Sequence, residues 1–244
     1  MGRSVVEKLV YLVWDRPSID PAEYGEQVQQ ITGELLHLEP SALWVAVDDA
    51  GAQIPPPVPV PDDELPIRAA FSIWLDAHDR RGPFESVLGG LGVRRAGYLV
   101  TESLLEDYGS TPHWPSARDW PDGDRSPGVC VLTVFDKKPG LDDETFYAHW
   151  YEHQSTMSAA MQPRVRYVRN AVARRLTPGA PPLRAIVEED WPTVEHLTDP
   201  FRFFGTANGD ELAENIRVML DSMKVFCDST TLRTYTMSEY LVRG

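Results

Sequence analysis

The amino-acid sequence predicts an α+β fold made of two diverged copies of one β-α-β-β-α-β unit. Three observations carry that prediction. The same order of apolar strands and amphipathic helices recurs in each half, a stretch rich in Pro, Gly, Asp and Ser separates the halves, and three short segments of the first half have echoes, in the same order, in the second.

In the first half, Val5 to Trp14 is apolar and β-branched, as in a strand buried on both faces. Asp20 is placed to cap a helix with Pro21 at its first position and Glu23 at its third, a capping-box arrangement. Tyr24, Val28, Ile31, Leu35 and Leu38 then form one stripe, and Pro40 ends it. Leu43 to Val47 reads as the second strand. Ile54 to Pro66 holds too many prolines for a helix or central strand and reads as an exposed loop of polyproline character. A third strand covers Ile67 to Leu75. A short helix through Phe84, Val87, Leu88 and Leu91 stops at Gly92, and a fourth strand runs from Arg94 to Leu105.

The expected organisation is a first repeat over 1–106, a linker over 107–127 whose Trp114 and Trp120 pack on the surface, and a second repeat over 128–244. In the second repeat Val129 to Phe135 is a strand, and Asp142 caps a helix with the stripe Phe146, His149, Trp150, His153 and Met157. Strands follow at Val165 to Arg174 and Leu183 to Trp191. A looser helical region spans Asp210 to Met223, and Thr231 to Val242 is the last strand. Val13 to Asp20 matches Val134 to Asp142 with one inserted Lys, Ile67-Arg68-Ala69 echoes Leu183-Arg184-Ala185, and Tyr98 to Glu102 echoes Tyr235 to Glu239. Each unit is ferredoxin-like, with two helices on one face of a four-stranded antiparallel sheet. The bare faces must be buried, so the two sheets are expected to pack face to face within one chain, closing a barrel with the helices outside.

Bulk properties narrow the function. A chain that is 42% hydrophobic and 25% charged can build a core, which excludes general disorder. Its formal charge of −14 repels phosphate backbones and anionic lipid, so neither nucleic acid nor membrane is an expected partner. The densest basic stretch, Arg164, Arg166, Arg169, Arg174 and Arg175, reads either as a solvated face or as the rim of an anion-attracting pocket. Cys130 and Cys227 lie in apolar runs and read as reduced core thiols. With no export signal or apolar span in view, the expected location is the cytoplasm.

Setting the two capped helices in register places His149, Trp150 and His153 opposite Gln27, Val28 and Ile31. The second half thus puts two imidazoles and an indole on a face expected to be buried, where unpartnered polar rings are costly. Three readings are open. Both histidines are satisfied core residues, or one of them, His153 before His149, exchanges protons with a ligand in a pocket. In the third, His149-Trp150-Tyr151-Glu152-His153 matches the H-x-x-E-H zinc pattern, although no third ligand can be singled out. Tyr167, Trp191, Phe201, Phe203, Phe204 and Tyr235 are each core or pocket aromatics, and Asp221 or Asp228 could orient a histidine. No Gly-rich phosphate loop and no G-x-S-x-G occurs, which argues against ATP, dinucleotide and serine-hydrolase chemistry.

Lys138-Pro139-Gly140-Leu141, then Phe146, His149-Trp150 and His153, then Arg166-Tyr167 resemble the EthD family of the dimeric α+β barrel superfamily. The likeness covers about residues 128–242, while only the fold pattern persists over 1–106. The resemblance implies a fused pseudo-dimer with a pocket between sheet and helices. The first half lacks the His and Trp of the motif and so has no matching site. The resulting expectation is a cofactor-independent enzyme, with neither organic cofactor nor metal, acting on a small apolar, aromatic or polyketide-like carbonyl substrate. His153, with His149, would transfer the proton in a cyclase, dehydratase, decarboxylase, isomerase or oxygenase reaction. Trp150, Tyr167, Phe146, Trp191, Phe204 and Tyr235 would contact substrate. The alternatives are an accessory protein that only binds a hydrophobic ligand, and a haem protein ligated through His149 or His153. Pairing of two such chains into a homodimer stays open.

Overall fold

Residues 6–244 are described by the computed structural model, so Val5 of the predicted first strand lies outside the described residues. The first half contains β1 (Glu7–Trp14), α1 (Pro21–Leu36), β2 (Ala42–Val47), β3 (Ile67–Leu75), α2 (Gly82–Leu88) and β4 (Arg94–Glu106). The second contains β5 (Val129–Phe135), α3 (Asp143–Ala148), a π-helical turn (His149–Gln154), α4 (Ser155–Met161), β6 (Arg166–Arg175), β7 (Ala185–Trp191), two short helices α5 (Glu195–Thr198) and α6 (Pro200–Phe203), the long α7 (Gly209–Phe226) and β8 (Arg233–Arg243).

Local chemistry explains the ends. Asp20 accepts from Ala22 N and Glu23 N to start α1, and Asp142 accepts from Thr145 N to start α3. After α2, Gly92 takes φ +73°, and any Cβ there would run into Val13 and the Trp14 carbonyl.

The strands form one closed antiparallel barrel in the order β1-β3-β2-β8-β5-β7-β6-β4. The predicted face-to-face packing is therefore achieved through the edges. β2 pairs with β8 and β4 with β6, so hydrogen bonding continues across both seams and no edge is left open. Val13 lies opposite Ala69, and Phe135 lies opposite Ala185. These pairings set Val13 against Phe135, so the two helices and the strands before them correspond without any inserted Lys. The sequence match of Trp14 with Phe135 is one residue out of register: Trp14 faces the barrel interior and Phe135 the helices.

Inward residues such as Leu12, Ala70, Ala96, Leu132, Ile186 and Met237 fill the barrel. One end of the interior is charged. Arg166 pairs with Glu188 (3.1 Å), Glu239 (3.1 Å) and Asp190 (3.4 Å), and Lys8 pairs with Glu188 (3.0 Å) and Glu102 (2.7 Å). Burial, with the Glu239 charge next, pushes the Asp190 carboxyl well above the usual range. The basic stretch is thus neither a solvated face nor a pocket rim over its first part. Arg164 and Arg166 are buried in ion pairs, Arg169 is buried and donates to Tyr151 O and Ser155 Oγ, and only Arg174 and Arg175 are exposed.

The proline-rich segment is also more than an exposed loop. Its even-numbered residues Ile54, Pro56, Val58 and Val60 are half-buried, and the odd ones are exposed. Val58 exchanges hydrogen bonds in both directions with Thr234 Oγ1 (2.9 Å each), and the Ile54 carbonyl accepts from Thr236. A first-half strap therefore lies along the outer face of β8. In the linker, Trp114 and Trp120 pack edge-on against Tyr108 at 5.7 and 4.8 Å.

Candidate functional site

The outer sheet face of the second half is not filled. Between it and the helices lies an apolar cavity of about 250 Å³. Its floor is built from alternate residues of adjacent strands, Val131, Thr133 and Phe135 on β5, Tyr167 on β6, and Val187, Glu189 and Trp191 on β7. Met219 and Met223 of α7 roof it, with Trp150, Gln154 and Ser158 from the π-helical turn and α4. Phe203 and Phe204 close one side, and Pro57 and Val58 of the strap close another.

The π-helical turn decides which side chains look inward. Up to it, the two halves run in step: Tyr24 and Val28 are buried in α1 as Phe146 and Trp150 are in the second half. The wide turn then adds one residue, and the buried set continues through Gln154, Ser155 and Ser158. His153 is consequently exposed and lies outside the cavity. His149 is half-buried, with Nε2 3.0 Å from Ser222 Oγ and its ring 4.8 Å from that of His153. The predicted stripe is corrected here: the position before Trp150 lies beside the inward face, as exposed Gln27 does before Val28, and the extra residue puts Gln154 in place of His153 on that face. Burial, and then the neighbouring His153, hold the His149 pKa below its ordinary value.

The other predicted contacts divide. Trp150, Tyr167, Trp191 and Phe204 all line the cavity. Phe146 packs behind Trp150, 5.6 Å away ring to ring, and does not reach the cavity. Tyr235 points to the other side of the sheet, into the barrel core, because Thr234 and not Tyr235 has the outward parity on β8. Phe201 is exposed, and Asp221 pairs with Arg217 and Lys224 on the outer side of α7.

The residues missed by sequence reasoning carry the polarity of the site. Glu189 is the one carboxylate among the lining residues. Its Oε1 is 2.7 Å from Nη1 of Arg164, which is fully buried and also pairs with Glu106 at 3.2 Å and donates to Ser158 Oγ at 3.2 Å. The same guanidinium lies 3.9 Å from the Tyr167 ring centre. The Tyr167 hydroxyl is within 3.4 Å of Ser155 Oγ, and burial raises its pKa against the opposing pull of Arg164, so it remains a proton donor at neutral pH. One signal could have found Glu189. Three consecutive acids, Glu188-Glu189-Asp190, interrupt an otherwise apolar strand, and alternation turns the middle one away from its two neighbours.

Haem and metal sites do not match these residues. The histidines lie outside the cavity, and the open hollow beside them is lined by Glu144 to His153 alone, with no second wall to cover a macrocycle. Among the described residues, no three His, Cys, Asp or Glu side chains converge in a metal-binding arrangement. None of the described helices is long and apolar enough to cross a membrane.

No protein-family profile and no curated protein sequence matches the chain. Solved structures do match in shape. An anthrone oxidase-like protein superposes with a TM-score of 0.58 at 12% identity, covering 99% of this chain and 94% of that one. A chlorite dismutase variant from Candidatus Nitrospira defluvii gives 0.47 at 9% identity, over 99% and 93%. The first likeness shows the fold alone. The chain has the dimeric α+β barrel architecture, closed here within a single polypeptide.

Proposed function

We propose that the chain is a cofactor-independent, EthD-like enzyme, a fused pseudo-dimer of two ferredoxin-like repeats with one working site. Its substrate is a small, mostly apolar aromatic or polyketide-like ketone bound in the second-half cavity. The observation that carries this reading is the apolar cavity whose single carboxylate, Glu189, is held by a buried arginine. Proton removal from carbon next to a carbonyl needs a positioned base and a donor for the developing enolate. Glu189 takes the proton, the C–H electron pair moves onto the carbonyl oxygen, and the Tyr167 hydroxyl hydrogen-bonds that oxygen. Arg164 is a positioning residue that fixes Glu189.

The proton-transfer role expected of His153 therefore passes to Glu189. The enolate can then be reprotonated elsewhere, as in isomerisation or cyclisation. In the oxygenase form it reacts with dioxygen, so that the carbon is oxidised and dioxygen is reduced to a hydroperoxide. Anthrone, the compound in the name of the structural neighbour with the 0.58 TM-score, is a carbon acid of this kind and serves as the type substrate.

The test is turnover of anthrone by the Glu189→Gln and His153→Ala variants, with folding followed by circular dichroism. Glu189→Gln should lose about 10²–10⁴-fold in kcat, while His153→Ala keeps wild-type activity. The reverse pattern removes Glu189 from the mechanism. Saturable binding with no product in the wild type returns the accessory-protein reading.

A further inference from the structure

We propose that the ligand of this cavity presents two polar groups, a hydrogen-bond acceptor to Trp191 Nε1–H and a hydrogen-bond donor to Gln154 Oε1, and is therefore a hydroxylated aromatic ketone rather than a plain hydrocarbon or a simple ketone. The inference rests on the reading of the cavity as a binding site and adds the pattern that selects what enters.

It starts from the buried polar atoms that have no partner. Among the described residues these include Gln154 Oε1 and Trp191 Nε1, and both residues line the cavity. Trp191 is 1% exposed and Gln154 8%. Folded proteins rarely leave such atoms unmet, so each needs an explanation in water or ligand. The two differ in sense, because an indole N–H only donates and an amide oxygen only accepts.

Neither atom is free to turn elsewhere. The Trp191 ring stacks on Phe203 at 4.6 Å, and its backbone is the last residue of β7, paired to Val129 of β5. Gln154 donates through Nε2 to Met219 Sδ at 2.8 Å, and that contact fixes the oxygen as the unmatched end. Other polar lining groups are already engaged. Glu189, Ser158 and Gln162 bond Arg164, and Thr234 bonds Val58. Beside Tyr167 and Glu189, the unmatched pair thus adds a free donor and a free acceptor to a largely apolar wall, and in such a wall one matched polar contact discriminates more than an added ring carbon does.

The experiment is calorimetric titration of the full chain with four bicyclic probes: naphthalene, naphthol, tetralone and a hydroxytetralone. Wild type should bind hydroxytetralone tightest and naphthalene weakest. Trp191→Phe keeps the stacking but removes the N–H, and should cost about tenfold for tetralone and hydroxytetralone while leaving naphthalene and naphthol unchanged. Gln154→Met should cost about tenfold for naphthol and hydroxytetralone alone. Trp120→Phe removes an unmatched indole N–H outside the cavity and should change none of the four affinities. Equal binding of all four probes by the wild type, or of tetralone by wild type and Trp191→Phe, overturns the inference but leaves the cavity reading standing. Failure of every probe to bind the wild type overturns both.

Discussion

The two sheet halves are covered by helices in the same order, yet one layer is solid and the other is hollow. Over the first half, Tyr24, Val28 and Leu35 of α1 and Phe84 and Leu88 of α2 meet Leu9, Tyr11, Val45, Phe71 and Ile73 of the sheet in one buried cluster. Over the second, the helix opposite α1 is widened by the π-helical turn, and the partner helix is the 18-residue α7 in place of the seven-residue α2. Of the residues of α7 only Ser222 and Phe226 are buried, so it spans the gap instead of filling it. The floor positions Tyr11, Leu43 and Ile73 of the first half become Thr133, Tyr167 and Glu189 in the second. One topology thus divides labour. The solid layer supplies apolar burial, and the hollow one gives some of it up for a site.

The largest expected effect breaks the comparison on stability. Phe71→Ala, at a fully buried position in the solid layer, should cost about 3–5 kcal/mol in denaturant unfolding. Leu220→Ala, at a cavity-lining and half-exposed position of α7, should stay within about 0.5 kcal/mol. Equal losses at the two sites would mean that the hollow layer is packed as tightly as the solid one.

Next in size is a substitution that makes the second layer resemble the first. Val131→Phe places a ring in the cavity from the floor, and should raise stability by about 1 kcal/mol while abolishing binding of tetralone. A destabilised variant that still binds would place the ligand elsewhere. Deleting Glu152 sharpens the same point from the roof. It removes the extra residue of the π-helical turn and sets Gln154 three residues after Trp150, as Ile31 stands after Val28, so the inward set Gln154, Ser155 and Ser158, tetralone binding and helical content should all be retained.

That deletion also marks where the sequence stops being legible. Strand and helix order and both Asp caps are written in local chemistry, because capping and alternation act over a few residues. The barrel follows from them, since two half-bare sheets have few other ways to bury their faces. Trp150, Tyr167, Trp191 and Phe204 are legible as cavity residues because one lies on the inward stripe of its helix and the others form a dense aromatic set on strand ends and the loop that follows. The inward turn of Gln154 is not, since one wide turn leaves no mark on a 3.6-residue period until the face it moves is seen. Nor is the place of Tyr235, because both faces of β8 are covered and Thr-Tyr-Thr-Met fits either parity. The strap over Thr234 depends on a contact 176 residues apart in sequence, which no local pattern records.

The smallest expected effect concerns His149 and His153, which lie outside the cavity at the π-helical turn. Burial, and then the adjacent His153, hold the folded His149 pKa below 6.5, so the folded chain favours the neutral ring more than the unfolded chain does. As the pH falls below that value the unfolded state takes up the proton first. Stability from this group is therefore complete near neutrality and is lost as the pH drops through the lowered folded pKa. His149→Gln keeps a polar partner for Ser222 and removes the titration, and should flatten the fall in urea midpoint between about pH 7 and pH 5. The equivalent residue of the solid layer is Gln27, which is exposed, so Gln27→His adds an imidazole that meets solvent in both states and should leave the wild-type fall in midpoint unchanged over the same range. A steeper profile for Gln27→His than for wild type would show that the two helices differ less in their surroundings than their packing implies.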